Sequence, residues 1–151
     1  MSRRSSRPES VRTALATVRE IYADLATQPI ERNCVRKGEC CHFKLTGRTP
    51  FLTKGEALLA AHALRATGRK SLPENPNGVC PMLQSTTGDC LIYNDRPFGC
   101  RTHFCSAAGG PYARSEVIDL IHRLEKIDAE LDGVGPRQLQ SAVADALETL
   151  R

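Results

Sequence analysis

All seven cysteines of this 151-residue chain lie between Cys34 and Cys105. They form two groups with the spacings Cys34-x5-Cys40-Cys41 and Cys80-x9-Cys90-x9-Cys100-x4-Cys105. Such a concentration of thiols in one part of a chain favours one shared site over seven unrelated packed side chains. The cysteines therefore constrain the possible fold more strongly than any other feature of the sequence.

The cysteines suit metal ligands better than disulfides. No apolar segment follows the basic residues near the N-terminus, so we expect no secretory signal and a cytoplasmic location. Thiols stay reduced in the cytoplasm, and an odd number of cysteines fits poorly with complete disulfide pairing. We therefore expect a metal centre.

The composition is that of one small domain without a membrane span. The length suits a single domain, and the chain has no Trp and few other aromatic residues, so its core must be mainly aliphatic. No run of about 18 apolar residues is present. The net charge of +4 is mild and partly concentrated in N-terminal arginines. We predict a disordered basic leader over residues 1–8 and a single cysteine-cluster domain over 9–151, with its metal-binding region at 34–105.

The two helices predicted in the first half of the chain have clear apolar stripes and end signals. The first covers residues 9–26. The second begins near Thr53, where Thr53-Lys54-Gly55-Glu56 forms a capping box, and Gly68 ends it. The predicted buried residues are Val11, Leu15, Val18, Tyr22 and Leu25 in the first helix and Leu58, Ala61 and Leu64 in the second.

Two further helices are predicted after the last cysteine. One covers roughly residues 113–131 and is ended by Gly133, and the other is opened by Pro136. Their predicted buried residues are Val117, Ile118, Ile121, Leu124, Ile127 and Leu131, followed by Leu139, Val143, Ala146, Leu147 and Leu150.

Between residues 69 and about 112 the helical pattern disappears, and prolines and glycines interrupt the chain at short intervals. At most, Cys90-Leu91-Ile92-Tyr93 forms a short strand. Long irregular segments inside a compact domain usually serve a function, and this one contains four of the seven cysteines. We therefore predict a mainly α fold, in which three or four helices brace an irregular cysteine-rich metal-binding loop region with little β structure.

Thiolates are strong ligands of zinc and of iron–sulfur clusters, which require four sulfurs, or sulfurs and an imidazole, to converge. Because successive side chains tend to diverge, the adjacent Cys40 and Cys41 either serve two centres or include one packed thiol. No intact C-x2-C occurs, which excludes a zinc ribbon, a RING domain and a bacterial ferredoxin motif. Spacing alone therefore leaves the grouping of the ligands open.

The residues around the cysteines resemble one known family. Cys34-Val-Arg-Lys37-Gly38-Glu-Cys40-Cys41 is similar to a C-x2-C-x2-C-C signature in which Lys37 replaces the second cysteine. The segments Cys80-Pro-Met-Leu83 and Cys90-Leu-Ile-Tyr-Asn-Asp-Arg-Pro-Phe-Gly-Cys100-Arg101 resemble further motifs of the same family. The family is the CxxCxxCC cysteine-cluster family, a zinc- or iron-chelating domain, and the resemblance covers about residues 34–105. It implies a metal centre of zinc or of iron and sulfur, and little about a reaction.

Lys37 leaves one position of the signature without a thiol, because a lysine ammonium is not a ligand until it is deprotonated. His103 is the best replacement, since it lies between Cys100 and Cys105, and His42 is the second. Both imidazoles have the alternative of a hydrogen bond to backbone or water. The predicted metal ligands are therefore Cys34, Cys40, Cys41, Cys80, Cys90, Cys100, Cys105 and His103.

Three hypotheses for function follow. The first is a metal-binding protein that holds an iron–sulfur cluster, with a redox or sensing role, or zinc, whose binding would help fold the 69–112 segment. The second is a structural zinc module whose basic N-terminal arm contacts nucleic acid or a partner. The third is an enzyme that uses a reactive thiolate or an open metal site; for the thiolate, His103 would act as a base beside Cys100 or Cys105. No catalytic motif is present, so a non-catalytic role is favoured. A protein partner fits the sequence better than nucleic acid. No membrane association is expected.

Overall fold

The computed structural model describes residues 8–27, 50–73, 80–84, 87, 89–102 and 113–150. In these ranges the fold is mainly α-helical, as predicted, with five helices and one pair of very short strands. The elements in chain order are α1 (Pro8–Ala26), β1 (Phe51–Leu52), α2 (Lys54–Ala66), α3 (Phe98–Thr102), α4 (Ile118–Glu130), β2 (Arg137–Gln138) and α5 (Leu139–Thr149). Single 3₁₀ turns at Tyr93–Asp95 and Arg114–Glu116 precede α3 and α4.

Helix α2 lies at the centre of the fold. It packs against α1, α4 and α5, and its residues from Gly55 to Ala61 are all buried. A helix that is buried on every side needs small residues where its neighbours come closest. Gly55 is such a residue, because a Cβ atom there would lie 2.9 Å from Cγ2 of Ile127 and 3.1 Å from Cγ2 of Val18.

Most residues of the predicted apolar stripes form the core, while Val11 and Leu150 are half-buried and pack against it. Val18, Leu64 and Val143 are fully buried, one each on α1, α2 and α5. On α4, Leu124 and Ile127 are buried as predicted, while Ile118 and Ile121 are only half-buried. Hydrophobic burial at about 25 cal/mol per Å² of apolar surface makes these stripes the main favourable contribution to folding.

The ends of α2 agree with the sequence signals. The capping box of Thr53 and Glu56 is present at its start. At its end the backbone N–H of Gly68 donates to the carbonyl of Arg65, 2.9 Å away, and Gly68 has a φ of +93°, the left-handed conformation that glycine adopts without strain.

Two predictions about the C-terminal half are wrong in detail. Pro136 does not open the last helix, because Arg137 and Gln138 pair in antiparallel register with Leu52 and Phe51 and α5 begins only at Leu139. Helix α4 begins at Ile118 and not near residue 113, because Arg114–Glu116 forms a separate 3₁₀ turn. At its end, Asp132 is left-handed with a φ of 58°, and the N–H of Gly133 donates to the carbonyl of Asp128 over 2.7 Å, so Gly133 takes part in ending the helix as predicted.

The segment that carries Cys90 and Cys100 differs from the prediction in two ways. The predicted strand at residues 90–93 is reduced to one bridge, between Leu83 and Cys90, and α3 forms where no helix was expected. None of the helices in the described ranges is long and apolar enough to cross a membrane.

Candidate metal centre

Three of the eight predicted ligands, Cys80, Cys90 and Cys100, lie within the described residues. The other five lie outside the described residues; they are Cys34, Cys40, Cys41, Cys105 and His103. The alternative ligand His42 and Lys37, which replaces a cysteine of the motif, also lie outside them. Residues 1–7 of the predicted basic leader are also outside the described ranges.

Cys80 begins a tight turn whose side chains are buried. The backbone N–H of Leu83 donates to the carbonyl of Cys80 over 3.0 Å. Cys80 is 3% exposed and Met82 is 1% exposed, and both belong to the hydrophobic core. The first cysteine of this group is therefore fixed to the body of the protein by packing.

Cys90 lies on a short antiparallel hairpin with the segment that follows Cys80. Leu83 and Cys90 form a bridge, and the backbone N–H of Leu91 donates to the carbonyl of Met82 over 2.7 Å. A further bond of 2.8 Å joins the N–H of Gln84 to the carbonyl of Asp89. The hairpin thus holds the backbone of residues 89–91 beside residues 82–84.

A second turn follows Cys90 at once. The N–H of Tyr93 donates to the carbonyl of Cys90 over 3.3 Å, and the guanidinium of Arg96 lies 3.9 Å from the centre of the Tyr93 ring. Nε of Arg96 also donates to the carbonyl of Tyr93 over 2.9 Å. Arg96 therefore contacts Tyr93 twice, at its ring and at its backbone carbonyl, and both contacts restrict this turn.

Cys100 lies in the middle of α3. The N–H groups of Cys100 and Arg101 both donate to the carbonyl of Pro97, over 3.0 and 3.1 Å. Phe98, at the start of the helix, is 7% exposed and packs into the core, so α3 is attached to the body of the protein at its first residue.

Arg101 ties α3 to the loop before it and to α1. Its Nε and Nη2 atoms donate to the carbonyls of Arg96 and Asn94, each over 2.7 Å. Its guanidinium lies 4.1 Å from the centre of the Tyr22 ring on α1. Burial lowers the pKa of Arg101, although an arginine remains charged at neutral pH.

Arg96 and Arg101 both donate to backbone carbonyls of the segment between Cys90 and Cys100. Asp95, in the same segment, forms an ion pair with Arg19 of α1, with 3.2 Å between Oδ1 and Nε. The two arginines therefore hold the backbone between Cys90 and Cys100. Arg101 itself follows Cys100 directly in the chain.

Glu56 is the buried acid that connects these elements. Its Oε2 atom accepts hydrogen bonds from the Tyr22 hydroxyl over 2.9 Å and from the backbone N–H of Phe98 over 2.6 Å. Its Oε1 atom accepts from the N–H and the hydroxyl of Thr53 over 3.2 and 3.0 Å. A carboxylate offers about four acceptor positions, so this group is fully hydrogen-bonded.

Burial sets the electrostatics of this group. Desolvation raises the pKa of Glu56, while its hydrogen bonds from Phe98, Thr53 and Tyr22 oppose that shift. Burial, with the neighbouring Glu56 carboxylate, also raises the pKa of Tyr22 well above its usual value, which keeps the phenol protonated as a donor.

Sequence reasoning placed Glu56 in the capping box and Tyr22 on a buried stripe, but it did not connect either residue to the cysteines. One signal was available. Glu56 precedes the apolar Leu59 and Ala60 by three and four positions, so a helix would place its side chain on the same apolar face. A carboxylate on such a face requires several donors from other elements.

A groove with a volume of about 390 Å³ opens beside Cys90. Arg19, His62, Tyr93 and Asp95 are among the residues that line it. Cys90 itself is half-buried, in contrast to the buried Cys80. The hairpin cysteine therefore borders solvent-accessible space.

Within the described ranges, no three His, Cys, Asp or Glu side chains come together in a group that could hold a metal ion. No disulfide joins the three cysteines of those ranges. The ligand set therefore stays a prediction, and what the structure establishes is how the backbone carrying three of its members is held.

The family model of the CxxCxxCC family, described as "Putative zinc- or iron-chelating domain", matches residues 32–125. The match covers well over half of the chain and includes all seven cysteines, α2 and α3. The chain therefore belongs to the CxxCxxCC family. It matches no curated protein and no solved structure.

Proposed function

We propose that this protein holds a zinc ion or an iron–sulfur cluster through its cysteine thiolates. The proposed ligands are Cys34, Cys40, Cys41, Cys80, Cys90, Cys100, Cys105 and His103. The observation that carries the proposal is the arrangement of residues 80–102, in which three cysteines lie on successive hydrogen-bonded turns of one segment attached to the helical core.

The chemistry of the donor set fits these metals. Thiolates and imidazole are the ligands that zinc prefers, and thiolates are the usual ligands of iron–sulfur clusters. Hard cations such as magnesium and calcium prefer oxygen ligands instead. When bound, a cluster would supply one-electron chemistry for a redox or sensing role, whereas zinc would supply binding free energy for folding.

The residues around the cysteines support a stable anionic site. The turns after Cys80 and Cys90 and the helix around Cys100 fix the backbone at these three proposed ligands, so that less ordering of this segment remains when a metal binds. The guanidinium of Arg101 interacts electrostatically with Cys100, so its positive charge would partly offset the negative charge of a metal-bound thiolate there.

The proposal is tested by replacing single cysteines in protein purified without oxygen. We expect Cys80→Ser, Cys90→Ser and Cys100→Ser each to lower the bound zinc or iron per chain, because a serine hydroxyl is a much poorer ligand for these metals. Ser141→Ala, at an exposed position on α5, is the matched control and should keep the metal. Full metal content in all three cysteine variants would refute the assignment of these residues as ligands.

A further inference from the structure

We propose that Glu56 is a positioning residue for α3 and, through this helix, for Cys100. The inference rests on the proposed function, because it concerns how the chain holds one of the proposed ligands. It assigns Glu56 a role beyond the local cap that the sequence indicates.

The hydrogen bonds of Glu56 join three separate elements. Its donors lie on α1 (Tyr22), immediately before α2 (Thr53) and at the first residue of α3 (Phe98). All of these donors are neutral groups, so the buried charge depends on the complete set of hydrogen bonds. Moving α3 would break the hydrogen bond between Phe98 and Glu56. The Phe98 N–H would then lack its acceptor, and the buried Glu56 carboxylate would lack one of its donors.

The bond to Phe98 has a direct effect on the position of Cys100. The first N–H groups of a helix have no acceptor within the helix, and Glu56 supplies one for Phe98. Cys100 follows two residues later, and its own N–H is bound to Pro97, the residue before Phe98. Because α3 has only five residues, fixing its first residue largely determines where Cys100 lies.

A second contact links α3 to the same pair of residues. Tyr22 donates to Glu56, and the guanidinium of Arg101 stacks on the Tyr22 ring. Helix α3 is therefore attached at Phe98 to the carboxylate and at Arg101 to the aromatic ring that donates to it.

Asp128 on α4 provides a matched comparison, since it is the other buried acid among the described residues and it accepts a hydrogen bond from the start of α2. Its Oδ1 accepts from the N–H of Lys54 over 2.7 Å and its Oδ2 from the N–H of Gly135 over 2.9 Å. Both acids are nearly inaccessible to solvent, at 3% for Glu56 and 5% for Asp128. Among the described residues, the hydrogen bonds of the Asp128 carboxylate go to the α2 and post-α4 backbone and not to the segment that carries Cys80, Cys90 and Cys100.

The test compares Glu56→Gln with Asp128→Asn in the full chain. In each variant an amide NH₂ group replaces one carboxylate oxygen. The NH₂ group cannot accept hydrogen bonds from the N–H or O–H groups that bonded to that oxygen, so both variants lose stability. The measurements are zinc affinity by competition with a chelator, and hydrogen exchange of the Cys100 and Arg101 amides without metal. We expect Glu56→Gln to lower the zinc affinity about tenfold, as is typical for groups that orient metal ligands, and to speed exchange in α3. Asp128→Asn should change neither.

Equal losses of zinc affinity in the two variants would show general destabilisation and overturn the proposal, as would unchanged α3 exchange in Glu56→Gln. If Glu56→Gln fails to fold, Tyr22→Phe replaces it, because it removes one donor to the same oxygen and keeps the ring under Arg101. Failure of the wild-type protein to bind metal would refute the proposed function alone. The exchange comparison would then still decide whether Glu56 positions α3.

Discussion

The backbone N–H of Phe98 donates a 2.6 Å hydrogen bond to the buried carboxylate of Glu56, which lies 42 positions earlier in the chain. This bond connects the central helix α2 to the short helix that carries Cys100. Hydrogen bonds to charged acceptors are stronger than neutral ones, particularly where water is excluded. The cysteine-bearing segment is thus held by the protein's own polar groups as well as by apolar packing.

We predict that Glu56→Gln lowers the free energy of unfolding by about 1–3 kcal/mol, because it leaves at least one buried donor without an acceptor. Glu125→Gln is the control, since Glu125 is exposed on α4 and should change stability by less than about 0.5 kcal/mol. Denaturant unfolding of the two variants checks the prediction. Equal stability of both variants would contradict the role of the Glu56 hydrogen bonds.

Gly55 should not tolerate alanine, although alanine normally favours a helix. A Cβ atom at Gly55 would lie 2.9 Å from Ile127, so Gly55→Ala should cost about 1–3 kcal/mol through overpacking. At Gly99 on α3 the nearest atom to an added Cβ is Pro50 Cβ at an ordinary 3.6 Å. Gly99→Ala should therefore be neutral or stabilise by up to about 1 kcal/mol. Thermal unfolding that ranks the two variants in the opposite order would contradict the packing described for α2.

Arg101→Lys should be destabilising although it keeps the charge. Lysine cannot donate in the same planar arrangement to the carbonyls of Arg96 and Asn94 while stacking on Tyr22. We expect a loss of about 1–2 kcal/mol, measured by denaturant unfolding. Arg123→Lys is the control, because Arg123 pairs with the half-exposed Asp24 and such a pair contributes less than about 1 kcal/mol. Indistinguishable stabilities would show that the guanidinium geometry of Arg101 is unimportant.

The sequence predicted the longer helices well because each has an apolar stripe over several turns. Val18, Leu64, Leu124 and Val143 are all buried as their spacing indicated. A helix of five residues such as α3 has too few turns to show periodicity, and it was missed. The β1–β2 pair was missed for a similar reason, since each strand has two residues and the pairing depends on how α2 and α5 pack.

The candidate site was predictable only in its residue types. Cysteine spacing and the neighbouring motifs identified the family, which the match to residues 32–125 confirms. The connection from Glu56 to Phe98 depends on tertiary packing between elements far apart in the chain, and no local pattern specifies it. The grouping of the ligands likewise depends on loop geometry that has no periodic signature.

The most direct test of the central claim is the metal content of the wild-type protein. The protein would be purified without oxygen from cells supplied with iron and zinc, and then examined by elemental analysis, visible absorption and paramagnetic resonance. A cysteine-ligated centre predicts stoichiometric metal, either as colourless protein with zinc or as coloured protein with iron and sulfide in cluster proportions. Protein that contains neither metal, and that binds neither on reconstitution, would contradict the account.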